Sequence, residues 1–74
     1  MNLFKKFNEK KLLEKQKAKR ESLRRDIEKL EAEIKNTETV FNLTTDEYLL
    51  ESAIFEHNAQ KAKMNYLIRL AREM

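Results

Sequence analysis

The chain has 74 residues, 39% of them charged, and contains no Gly, Pro, Cys or Trp. Without Gly or Pro most tight turns lose their usual residues, so a fold of many short elements is excluded, and a chain this short builds one small core at most. The absence of Cys excludes a disulfide scaffold and thiolate metal sites. The net charge of +3 hides an asymmetry: residues 1–25 carry ten Lys/Arg against three Glu, while residues 26–74 carry six Lys/Arg against ten Asp/Glu. A basic arm adjoins a mildly acidic body.

The first periodic stretch runs from about Leu3 to Phe41. Its strongest part is Leu23, Ile27, Leu30, Ile34, Thr37 and Phe41, spaced by alternating fours and threes in the manner of a coiled-coil seam. Upstream the same register meets Arg20, Gln16, Leu13, Glu9 and Lys6, and the seam decays. The pattern predicts a continuous helix from about Glu9, weakly packed before Leu23. Residues 1–22 form a basic helical arm and residues 23–74 a hairpin body, within one domain overall.

A polar break follows over Asn36 to Thr45. Thr37, Thr39 and Val40 are β-branched and poorer helix formers, and Asn42 is the residue best suited to a left-handed cap where Gly is lacking. Thr44-x-x-Glu47 matches a capping box, with Leu43 and Tyr48 placed as a hydrophobic staple. With no Gly or Pro to sharpen it, the turn is expected to be a longer, loosely fixed link.

The second helix is predicted from about Thr45 to Arg72. Its apolar side chains fall on two stripes. One is Tyr48, Phe55, Ala59, Ala62, Tyr66 and Leu70; the other is Leu50, Ala53, Ile54, His57, Met64, Ile68 and Ala71, with Leu49 and Leu67 between them. A helix apolar on two sides is usually covered on two sides. The expected fold is all-α, a two-helix antiparallel hairpin. Ordering the backbone costs about 1–2 kcal/mol per residue, which so small a core struggles to offset. Dimerisation into a four-helix bundle is therefore expected, or cover by a partner helix. Tyr48, Phe55, Ala59, Ala62 and Tyr66 are assigned to the contact with Leu23–Phe41. Leu50, Ile54, His57, Met64 and Ile68 are left for an oligomer or partner interface, with the reverse assignment open. On this reading Ile34→Ala or Phe55→Ala costs about 2–5 kcal/mol.

The stretch Asp46-Glu47-Tyr48-Leu49-Leu50-Glu51-Ser52-Ala53-Ile54-Phe55-Glu56, with Ala59, Ala62, Tyr66-Leu67-Ile68-Arg69 and Ala71-Arg72, resembles the YaaL-like family of short proteins from Gram-positive bacteria. In that family an acidic residue opens a helix, an Ala-Ile-aromatic-Glu core follows and a Leu-rich basic end closes it. The resemblance spans the second helix rather than the basic arm. It implies a small cytosolic helical protein, often encoded near recombination and replication genes, in a family with no agreed biochemical activity.

Few residues offer chemistry. A nucleophile–base pair needs a hydroxyl or thiol within reach of its base, and the helical neighbours of the single His57, namely Ala53, Ile54, Gln60 and Lys61, offer none. A structural or interface role is expected for His57; in a dimer interface its protonation would weaken the dimer in acid. Glu51, Glu56 and His57 fall short of a zinc ligand set, and a phosphate-cradling loop needs Gly. No catalytic residue, cofactor, metal or small-molecule substrate is expected.

The basic arm holds Lys5, Lys6, Lys10, Lys11, Lys15, Lys17, Lys19, Arg20, Arg24 and Arg25, interleaved with Leu3, Phe4, Phe7, Leu12 and Leu13. Three readings compete: a solvated helix end, a sequence-independent nucleic-acid contact through phosphates, and weak peripheral membrane association through residues 3–13. No run of about 18 apolar residues marks a transmembrane span. The basic start is not followed by the apolar core of a secretory signal, so the cytoplasm is the expected location. The sequence thus points to a non-enzymatic helical interaction or adaptor protein.

Overall fold

A computed structural model describes the backbone of residues 3–73 and the side chains of residues 8–73. Two helices account for nearly all of it: α1, Leu3–Leu43, and α2, Glu47–Glu73, packed antiparallel as a hairpin. The molecule measures 69 × 15 × 14 Å and its Cα radius of gyration is 19.2 Å. A compact chain of this length would have a radius near 11 Å. The hairpin is therefore a rod with its core along one seam.

The polar break does not end α1 where propensity suggested. Thr37 and Thr39 stay helical by turning their hydroxyls back onto the chain: Thr37 Oγ1 donates to the Glu33 carbonyl at 3.1 Å and Thr39 Oγ1 to the Lys35 carbonyl at 3.0 Å. The helix runs through Asn42, and no described residue has positive φ. The expected left-handed cap at Asn42 is thus absent.

The link is short, only Thr44, Thr45 and Asp46, instead of the long segment expected. Side-chain caps replace Gly. Asp46 Oδ1 accepts from the backbone N–H of Tyr48 at 2.9 Å and of Leu49 at 3.0 Å, which makes Asp46 the N-cap of α2. Thr44 Oγ1 accepts the Asp46 N–H at 3.2 Å and steadies the step before it. The cap thus sits two residues later than the Thr44–Glu47 capping box placed it. The expected staple does not form, since Leu43 and Tyr48 are 77% and 85% exposed. Asp46→Ala should cost about 1 kcal/mol and lower the thermal midpoint by about 4–8 °C, measurable by circular dichroism.

The α1 seam is the expected one. Leu30 and Thr37 are buried, and Leu23, Ile27 and Ile34 are half-buried; Phe41, at the turn end, is exposed. The partner face of α2 is the reverse of the one assigned. Leu50, Ala53, His57, Gln60, Met64 and Leu67 form a heptad-spaced line in which Ala53, Gln60 and Leu67 are buried and the others half-buried. Tyr48, Phe55, Ala59, Ala62 and Tyr66, assigned to the hairpin contact, all lie exposed.

Link length and side-chain size explain the reversal. Three residues span at most about 10 Å, which matches helix axes about 8–10 Å apart. The fully buried residues nearest the turn are small: Thr37 and Ala53 share a groove. Tyr48 and Phe55 at the same level would hold the helices wider apart than the link allows.

Candidate helix-interaction site

Turning the Leu50–Leu67 line of α2 inward leaves its aromatic stripe outside. Tyr48 is 85% exposed, Phe55 67% and Tyr66 50%. At 100° per residue the inward line and this outward stripe lie roughly 150° apart around α2. The stripe is Tyr48, Ser52, Phe55, Ala59, Ala62 and Tyr66, and its alternating spacing of four and three is itself a coiled-coil seam. The Arg69 guanidinium lies over the Tyr66 ring, 5.7 Å from its centroid, and closes the C-terminal end of the stripe.

The residues assigned to the partner interface divide. Leu50, His57 and Met64 belong to the intramolecular seam, a correction to that assignment. Ile54 and Ile68 are partly exposed on its flank, and Ile54 lines a groove with Phe41, Thr37, Glu38 and His57. His57 Nε2 sits 3.5 Å from Glu38 Oε1. This carboxylate contact lies within its own hairpin, between α2 and α1.

Gln60 escaped the sequence reading because hydropathy scores it as a surface residue. The signal was its position, midway between Ala53 and Leu67 at heptad spacing. It is 7% exposed. Its Nε2 reaches Glu56 Oε1 only at 3.5 Å, and its buried Oε1 has no hydrogen-bond partner. A polar residue at such a position specifies register at a cost in stability.

The basic arm is a second surface. The end of α2, Glu73, shares a groove with α1 residues from Gln16 to Leu23. Upstream of Gln16 the described part of α1 runs on without α2 beside it. Lys10, Lys11, Lys15, Lys17, Lys19, Arg20, Arg24 and Arg25 are all exposed. They do not share one face: Lys10, Lys17 and Arg24 recur at seven-residue intervals, while Lys11, Lys15 and Lys19 run down another side. Leu12 and Leu13 are exposed about 100° apart. The side chains of Lys5 and Lys6, and of Leu3, Phe4 and Phe7 on which the membrane reading leaned, lie outside the described residues.

Among the described residues no three His, Asp or Glu side chains gather to hold a metal ion. No described helix is long and apolar enough to cross a membrane. No family model, curated protein or solved structure matches the chain.

Proposed function

We propose that this is a non-enzymatic, cytoplasmic interaction protein that works by offering a helix face to another helix. The observation that carries the reading is the exposed heptad stripe of α2. Tyr48, Phe55 and Tyr66 stand out of the hairpin along one line, while the opposite side of the same helix is used up in folding. Aromatic side chains are enriched at the centres of protein interfaces, and exposing them in a row disfavours a solitary life in water. The YaaL-like resemblance, carried by α2, agrees with a helical protein of this size and adds no mechanism.

A second reading has its own support. The arm is basic on several sides and, upstream of Gln16, has no packing partner in α2. That suits a polyanion better than a bilayer, because a helix lying on lipid needs its charges and apolar side chains on separate faces. Arm binding to nucleic acid would fall about a hundredfold between about 50 and 200 mM salt if four phosphates are neutralised.

One experiment separates the two. Partners are recovered from native lysate with wild-type protein, with Phe55→Glu and with a Lys10→Glu/Lys11→Glu/Lys15→Glu/Arg20→Glu variant, each with and without nuclease. The helix-face reading expects nuclease-resistant partners lost only in Phe55→Glu. Partners lost to nuclease and to the arm variant support the polyanion reading. Partners unaffected by Phe55→Glu overturn the first.

A further inference from the structure

We infer that the occupant of the α2 stripe is the same stripe on a second copy of this chain, docked antiparallel about a two-fold axis near residue 57. The inference rests on the helix-face reading and names its partner. Its ground is that the stripe is complementary to its own reverse. Read forward it is Tyr, Ser, Phe, Ala, Ala, Tyr; read backward it is Tyr, Ala, Ala, Phe, Ser, Tyr. Antiparallel overlay sets Phe55 against Ala59 of the other copy, Ser52 against Ala62, and Tyr48 against Tyr66. The one bulky residue in the middle meets a small one, the small pair lets the backbones approach, and the tyrosines pair at the two ends. Isologous contact of this kind, one patch meeting itself, is the commonest symmetry of soluble oligomers.

The edge of the stripe repeats the pattern with charge. Leu49, Glu56, Lys63 and Leu70 run along its flank at seven-residue intervals, the first three exposed and Leu70 half-buried at the edge of the groove to α1. Antiparallel pairing turns Glu56 toward Lys63 of the second copy and Leu49 toward Leu70. Side chains lean toward their own N-termini, and this closes the axial offset between each pair. A parallel pairing would instead stack Phe55 on Phe55 and turn Glu56 toward Glu51 of the second copy, a like-charge contact. Charge of opposite sign on one edge and size complementarity along the centre therefore select the same orientation. With the two seams roughly 150° apart around α2, the four helices form a shallow curved layer, the two α2 helices central and the two α1 helices outside. The closed four-helix bundle expected from the sequence does not result.

The natural lack of Cys makes the test clean. Ser52→Cys and Ala62→Cys, both on exposed positions, are oxidised separately and as a mixture. The expected result is a disulfide-linked heterodimer in the mixture and almost none in either variant alone. In the antiparallel pair residue 52 faces residue 62, and two copies of residue 52 are about 15 Å apart along the axis, beyond disulfide reach. Self-linking of Ser52→Cys alone, or no enrichment of the mixed species, overturns the inference. Phe55→Glu places a charge against Ala59 and should weaken association at least about a hundredfold while the hairpin keeps its helical signal; the cysteine pair is the deciding arm because it also reads orientation. If the mixed disulfide fails while lysate partners still depend on Phe55, the second copy is wrong and the helix-face reading stands. If neither depends on Phe55, both fall.

Discussion

Leu30→Ala and Leu67→Ala should each cost about 2–5 kcal/mol and abolish most of the helical signal at room temperature. Both residues are buried, Leu30 to 2% exposure, and they line one cleft between the helices. The only other buried apolar residue among those described is Ala53. A seam this thin leaves little stability in reserve. Small domains hold on the order of 0.05–0.15 kcal/mol per residue, about 4 kcal/mol at the low end for 74 residues, so one lost leucine removes most of what so thin a seam supplies. Phe55→Ala, expected from sequence to be just as damaging, should leave the fold of the isolated hairpin nearly unchanged, because the ring contributes little to the α1–α2 contact. Thermal melts followed by circular dichroism decide both. A wild-type melt for Leu67→Ala would mean that α2 turns another face inward.

Gln60→Leu should act in the opposite direction and raise stability. Removing a buried carbonyl oxygen that has no partner relieves about 1–3 kcal/mol, and the leucine adds apolar surface between Ala53 and Leu67. For a domain of this size that corresponds to a rise of roughly 4–24 °C in the thermal midpoint. The same change should loosen specificity, since a lone polar residue in a seam fixes which residues lie opposite one another. Amide exchange would then show less sharply graded protection along α2. A fall in the midpoint would show that the Gln60 side chain is better satisfied than its contacts suggest.

The two helices were legible because the 4–3 repeat of Leu23, Ile27, Leu30, Ile34 and Thr37 is long and strong, and because Asp46 and Glu47 announce a helix start. The turn was misread in two ways with one physical origin. Local propensity treats Thr37, Thr39 and Asn42 as helix breakers, but two threonine hydroxyls bond back to the helix and α1 continues to Leu43. The cap then falls on Asp46, whose carboxylate holds two N–H groups at once. The face of α2 was not decidable from periodicity, because both stripes have the same spacing. What selects between them is the three-residue link, a property of the assembled hairpin. Gln60 was hidden for the opposite reason: its position was periodic, but its chemistry was read as solvated.

The reversal also changes what the basic arm is attached to. The surface offered outward by α2 is aromatic and small, flanked by Glu56 and Lys63, while the arm keeps its exposed lysines and arginines at the far end of a 69 Å rod. Under the antiparallel pairing the two arms of a dimer point in opposite directions. Each is then left free for an anionic partner.

Sedimentation equilibrium of the wild-type chain beside Phe55→Glu, across a range of micromolar concentrations, tests the central claim most directly: one face of α2 folds the hairpin and the other joins two hairpins. Wild-type mass should rise from one chain to two with concentration and stop there, while Phe55→Glu stays at one chain and keeps its helical signal. A wild type that remains monomeric throughout, or a Phe55→Glu variant that dimerises equally well, would contradict it.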